Sequence, residues 1–155
     1  EVSLVVQKSY NGVAIASPTF PDSVEERIPW QEDADARGIA SRFDDLTVAT
    51  VYVPNGRQVG HDHYHYKLEW LERLLGWLET SASPDQPLVI CGDFNVAPDD
   101  RDLFDPAAWH EQNLATTAER ERLQALLECV EYQQLLFIRK ARRLREKSED
   151  FRNSK

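Results

Sequence analysis

The chain has 155 residues, 41% of them hydrophobic, with four Trp, five Tyr and six Phe, enough for one domain with a sizeable core. No apolar run approaches the roughly 20 residues a bilayer-crossing helix needs, and no basic start leads into an apolar core, so neither a membrane span nor a signal peptide is expected. The net charge of −9 is uneven: residues 1–130 hold 10 Lys and Arg against 23 Asp and Glu, residues 131–155 hold 8 against 4, and an acidic body argues against non-specific polyanion binding. It does not exclude a nuclease, because carboxylates gathered around a divalent cation still draw a phosphodiester through the metal. Two cysteines make no disulfide framework, so a reducing, cytoplasmic setting is expected, with Cys91 a small core residue.

In chain order, Glu1 to Gln7 and Val13 to Ala16 read as a hairpin around Tyr10-Asn11-Gly12. Pro18 to Pro29 carries three prolines and reads as a loop with at most one helical turn. Gly38 to Phe43, a turn at Asp44-Asp45, and the β-branched run Leu46 to Val53 form a second strand pair ended by Pro54-Asn55-Gly56. From Tyr66 to Glu79 the positions Leu68, Leu71, Leu75 and Leu78, joined by Trp70, Leu74 and Trp77, recur at helical spacing. Ser81 to Pro87 is a linker, and Leu88-Val89-Ile90-Cys91 reads as a buried strand. Residues 99–113 look irregular, and Thr116-Thr117-Ala118-Glu119 is a capping box for a helix carrying Leu123, Leu126 and Leu127. Strand pairs separated by helices in this order predict a mixed α/β domain rather than a repeated βαβ series.

The chemistry concentrates where the apolar run stops, at Gly92-Asp93-Phe94-Asn95. Residues two apart on an extended chain point the same way, so Asp93 and Asn95 are expected to project together while Phe94 turns back into the core. A carboxylate polarises water, and a carboxamide donates to a phosphate oxygen. The plainer alternative is a tight turn with local backbone bonds. Tyr52 ends the earlier strand and offers its hydroxyl at the same sheet rim, although a packed ring with a wet hydroxyl is the commoner fate. His61, His63 and His65 would share one side of an extended segment, as zinc ligands do, but a solvated approach to the helix is preferred. Asp99, Asp100, Asp102 and Asp105 read as turn-capping acids more readily than as outer ligands of a cation. Glu119-Arg120-Glu121-Arg122 reads as a solvated helix surface.

Taken together, Asn11-Gly12-Val13-Ala14-Ile15, Tyr52-Val53-Pro54-Asn55-Gly56, Tyr66-Lys67-Leu68 with Trp70-Leu71, Gly92 to Pro98, Asp105-Pro106 and Glu119-Arg120 resemble the exodeoxyribonuclease III family of the endonuclease/exonuclease/phosphatase superfamily, in order and spacing, from about Val2 to about Glu128. The resemblance implies a four-layered αββα sandwich with mixed, largely antiparallel sheets. It also implies Mg²⁺ or Mn²⁺ and hydrolysis of DNA phosphodiesters in 3′→5′ exonuclease and abasic-site endonuclease modes, on double-stranded DNA with abasic sites or 3′ ends. By the same resemblance Asp93 orients or deprotonates the attacking water, Asn95 donates to the scissile phosphate, and Tyr52 is a second phosphate contact. Asn55 and Asn11 are further DNA contacts.

The departures from the family pattern are specific. The strand bearing an Asn, the next bearing a metal-binding Glu, and the later Asp and Asp-His pair are not found in this sequence, and Cys129 to Gln134 stands where a Trp-Gly turn is expected. A truncated domain over residues 1–128 is therefore expected, followed by a divergent basic helical tail over 129–155. The direct metal ligands are then missing, with Asp93 the available carboxylate, and the chain alone is expected to be incomplete or inactive. Uncovered apolar sheet surface should promote association. A non-catalytic nucleic-acid or partner-binding module, using the basic tail, is the alternative, and a superfamily phosphatase the third.

Overall fold

The computed structural model describes residues 1–33, 35–81 and 86–131. The basic tail from residue 132 onward and most of the Ser81 to Pro87 linker lie outside the described residues. The first hairpin forms as expected: β1 (Val2–Val6) pairs antiparallel with β2 (Gly12–Ala16), Val2 opposite Ala16 and Val6 opposite Gly12. Tyr10 and Asn11 take positive φ in the turn between them.

A four-stranded sheet has the order β3-β4-β5-β6, formed by Ser23–Glu26, Gly38–Phe43, Leu46–Tyr52 and Leu88–Asp93. The first three run antiparallel and β6 joins β5 in parallel. The strand β3 corrects the expectation of a loop between Pro18 and Pro29. All four of its residues are exposed, so no apolar alternation marks it, and its pairing is supplied by the well-patterned β4.

Helix α1 spans Asp62–Ser81 and buries Tyr64, Lys67, Trp70, Leu71, Leu74, Trp77 and Leu78, a stripe spaced by three and four. It starts earlier than the leucine pattern suggests. His61 Nδ1 accepts the backbone N–H of His63 at 3.0 Å, satisfying one of the donors a helix leaves unpaired at its first turn. The rings of His61 and His63 lie 5.3 Å apart, while His65 turns beside Tyr64. Helical rotation thus breaks the one-sided trio that an extended segment would present.

The helix α3, residues 117–131, begins at the expected capping box. Thr116 Oγ1 accepts the Glu119 amide at 3.2 Å, and Glu119 Oε2 accepts the Thr116 amide at 3.0 Å. Trp70, Leu71, Leu74 and Leu78 of α1 join Leu123 and Leu126 of α3 over Ala40, Ala49, Val51 and Leu88 of the four-stranded sheet. A fully buried leucine of this kind contributes about 1.5–3 kcal/mol. On the other face, Val5, Val13 and Ile15 of the hairpin pack on Ile39 and Ala36. Adjacent residues Ile39 and Ala40 therefore serve two cores, and the layers run helix, sheet, sheet, the described part of an αββα sandwich.

Two sheet surfaces are apolar and open. Val2, Leu4 and Val6 are 62%, 49% and 61% exposed, and their partners across the hairpin are Ala16, Ala14 and Gly12. Strand β6 lies at the sheet edge among the described residues, with Val89 and Cys91 exposed. This corrects two expectations: the run Leu88 to Cys91 is buried on its helix-facing side alone, and Cys91 is not a core residue, although its thiol donates to the Ala49 carbonyl at 3.4 Å. An apolar run reports what a strand can bury, not which neighbour covers it.

Candidate active site

The site is assembled at the ends of β5 and β6. Parallel pairing sets Tyr52 opposite Asp93, so both side chains leave the same face of the sheet. Ala49 and Val51 face the helices, which puts Tyr52 and Asp93 on the face away from α1. That register depends on Gly92, at φ 129°, where a Cβ would collide with the Val51 carbonyl.

Beyond Asp93 the extended conformation ends. Asp93 Oδ1 accepts the Asn95 amide at 2.9 Å, an Asx turn, and Asn95 takes φ 50°. Asp93 and Asn95 are therefore brought together by a turn rather than by strand alternation, and the local bonding of the plainer alternative is also present. Phe94 packs against the main core as expected. The Asn95 side chain donates to the Val53 carbonyl at 2.8 Å and accepts from Asn55 Nδ2 at 3.2 Å, which joins the ends of the two strands. A primary amide has two N–H groups, so one donor of Asn95 is left after the Val53 bond.

Asp93, Phe94 and Asn95 line one open cleft of about 590 Å³ together with Leu103, Phe104 and Trp109. Tyr52 is half-buried, with the Arg37 guanidinium 5.1 Å from its ring centroid. Asn55 sits in a neighbouring cleft with Arg57 and Gln58. Asn11 lies in the β1–β2 turn, and no hydrogen bond among the described residues ties its side chain to this group.

Behind these residues lies a buried ion pair that the sequence reading missed. Lys67 and Glu119 are both fully buried and bonded to each other. Lys67 Nζ also donates to the Asn95 carbonyl at 2.6 Å and to the Asn55 carbonyl at 3.4 Å. Glu119 accepts from the Leu114 and Thr116 amides and from Thr116 Oγ1, at 3.1, 3.0 and 2.8 Å. Burial pushes the Lys67 ammonium below its ordinary pKa, while Glu119 and Asp93 pull the other way. Asn113 completes the support by donating to the Asn55 carbonyl at 2.7 Å. The signal for Lys67 was its place among the buried positions of α1, where a lysine is unusual unless paired. For Glu119 it was the capping box itself.

The solvated reading of Glu119 to Arg122 is thereby corrected. Glu119 is interior, Arg120 pairs with Asp100 at 2.9 Å and donates to the Ala97 carbonyl, and Arg122 pairs with Glu72 at 2.5 Å. The segment is a seam between α3, the loop after β6 and α1. Asp99, Asp102 and Asp105 act as caps, as preferred, whereas Asp100 pairs with Arg120. Asp99 holds the 3₁₀ turn Asp100–Asp102, and Asp105 accepts the Ala108 amide at the start of α2 (Pro106–Trp109). Among the described residues no group of three or more His, Cys, Asp or Glu side chains converges to hold a metal ion.

Comparisons with known proteins follow the same geometry. An exodeoxyribonuclease of Bacillus subtilis is 35% identical over 125 residues, which cover 80% of this chain and 49% of the relative. The DNA repair nuclease APEX1 of Danio rerio is 34% identical over 124 residues, covering 79% and 39%. The solved structure of the 3′ phosphatase NExo from Neisseria, bound to a product DNA hairpin, superposes with a TM-score of 0.79 at 34% identity, covering 83% of this chain and 51% of that one. An AP endonuclease from Archaeoglobus fulgidus gives 0.76 at 32% identity, over 82% and 49%. The chain thus spans about half the length of the first of these relatives. Residues 3–128 match the endonuclease/exonuclease/phosphatase family, and the chain belongs to it.

Proposed function

We propose that this chain carries the strand-end catalytic groups of a DNA-repair nuclease of the exodeoxyribonuclease III type. A complete enzyme of that type hydrolyses phosphodiesters of double-stranded DNA at 3′ ends and abasic sites, in the cytoplasm, and this chain alone carries an incomplete or inactive part of it. The observation that carries the reading is the joining of Asp93, Asn95 and Asn55 at one open rim, with Lys67 and Glu119 fixing both asparagine backbones from behind. In-line attack at phosphorus needs a placed nucleophile and donors preorganised toward the non-bridging oxygens.

In this reading the Asp93 carboxylate orients a water and takes its proton as the water oxygen adds to phosphorus and the ester bond to the leaving sugar oxygen breaks. The remaining Asn95 N–H donates to a non-bridging oxygen, and the Tyr52 hydroxyl and Asn55 hold the phosphate from the neighbouring strand. Asn11, in the hairpin turn, is a further DNA contact. A divalent cation, Mg²⁺ or Mn²⁺, belongs to the reading through the family. The described residues offer Asp93 but no converging ligand set, so they do not by themselves build its site. In the same reading the domain covers residues 1–128, α3 carries on to residue 131 with Cys129 and Val130 against the core, and the basic residues of 129–155 form a tail that follows.

The missing ligand set favours one second reading, a non-catalytic nucleic-acid-binding module. Cleavage of an abasic-site duplex in the presence of Mg²⁺ decides between them. In a complete enzyme, Asp93→Asn is expected to lower turnover about 10²–10⁴-fold with DNA affinity unchanged. Near-normal cleavage by that variant removes Asp93 from the role. DNA binding without cleavage, both by this chain and by a complete enzyme carrying these residues, selects the binding module.

A further inference from the structure

Two aromatic side chains beside the catalytic rim have no part in the steps above. Phe104 is completely exposed and Trp109 is 40% exposed, in the loop region that follows β6. Both are held by local structure rather than by packing. The Asp99 capping box closes the 3₁₀ turn that delivers Leu103 and Phe104. Asp105, with Pro106 in the first turn, caps the short helix that ends at Trp109.

Trp109 and Leu114 line two clefts at once. On one side is the cleft of about 590 Å³ with Asp93, Asn95, Leu103 and Phe104, apolar along its wall and carrying the carboxylates of Asp93 and Asp102. On the other is a cleft of about 440 Å³ with Asn55, Arg57, Gln58 and Gln112, rich in amide groups and lined by the Arg57 guanidinium. The chemistry of the two sides differs in the way the parts of a nucleotide differ. An anionic phosphodiester suits the side with Arg57 and the amides. On the other side, the apolar wall beside the place where Asp93 and Asn95 meet the phosphate accepts an uncharged flat ring against Phe104 and Trp109.

We propose that Phe104 and Trp109 form a stacking subsite for an unpaired nucleobase next to the phosphodiester held at Asn55 and Asn95, which makes frayed or unpaired 3′ termini the preferred DNA. This rests on the nuclease reading above. The occupant follows from continuity: the aromatic wall and the proposed water-orienting carboxylate line one cleft, so a strand whose phosphate reaches Asn95 brings its adjacent base to the aromatic rings. A base in intact duplex is already stacked and has its faces covered, whereas an unpaired one is free to exchange that stacking for the protein's.

The test is equilibrium binding of the chain to a DNA hairpin ending in one unpaired 3′ 2-aminopurine nucleotide, read by the fluorescence of that base. Stacking is expected to quench the emission on binding. Phe104→Ala and Trp109→Ala are each expected to weaken binding roughly 5- to 100-fold and to restore the emission at saturation, whereas Trp109→Phe keeps the quenching. Asn55→Ala is expected to weaken binding but leave the quenching at saturation in place. The melt of Phe104→Ala should match the unsubstituted chain, because Phe104 buries nothing, and Trp109→Ala is compared at a temperature below its own transition. Unchanged affinity and quenching in both alanine variants, or equally tight binding of a hairpin whose 3′ nucleotide lacks a base, overturns the stacking subsite while DNA binding stands. Failure to bind any of the hairpins overturns the nuclease reading and the subsite with it.

Discussion

Replacing Lys67 by Met removes the cation from a site with no access to water and leaves the Glu119 carboxyl buried without its partner, beside Leu114 and Thr116. Breaking a buried pair from one side costs about 3–5 kcal/mol, because the surviving charge is neither paired nor solvated. The bond to the Asn95 carbonyl is lost too, whereas the Asn55 carbonyl keeps Asn113. Against a total stability of about 5–15 kcal/mol for a domain, this is a large fraction. With a urea slope of about 2 kcal/mol per molar, the midpoint should fall by about 2 M, followed through the emission of buried Trp70 and Trp77. The expected slope is unchanged, since the surface exposed on unfolding is the same. Glu119→Gln and the double variant complete a cycle, with an expected coupling of about 1–3 kcal/mol. A loss below about 1 kcal/mol for Lys67→Met, or a cycle with no coupling, refutes the claim that this pair holds the rim in place.

Gly92→Ala should destabilise by about 3 kcal/mol or more, measured in the same titration, because the new Cβ meets the Val51 carbonyl and the residue must hold φ 129°. A neutral Gly92→Ala would mean the β5–β6 register is not set there. The Asp99 carboxyl is held down to about 2 from its usual 3.8, first by the Arg101 side-chain bond and then by the Arg101 amide. Its folded value lies below its unfolded one, so its contribution is present above about 3.8 and is lost as pH falls toward 2. Carboxyl NMR titration checks this, and a midpoint near 4 contradicts the cap. Substituting Val2, Leu4 and Val6 together by Thr should lower light scattering at high protein concentration without lowering the melting temperature, since all three side chains are exposed. Unchanged scattering would show that this face does not drive association.

The strands β1, β2, β4, β5 and β6, the long helix and the capping box were legible in the sequence because each carries a local signature: alternation, a 3.6-residue stripe, or a side chain that satisfies its own helix end. The acid and the amide at Asp93 and Asn95 were legible for the same reason, since an apolar run that stops at a carboxylate announces a strand end. The exposed edge strand Ser23–Glu26 was not legible, because its partner supplies its hydrogen bonds and nothing in its own pattern requires them.

What the tertiary structure alone decided is which polar residues meet. Lys67 is one lysine in an amphipathic helix and Glu119 one acid in a charged stretch, 52 positions apart, until the packing of two helices on one sheet removes water from both. Desolvation depends on what covers a group, and no window of sequence contains its cover. The amino-acid order therefore determined the elements and the chemical repertoire of the rim, whereas the burial that turns a lysine and a glutamate into the rim's support exists only in the folded chain.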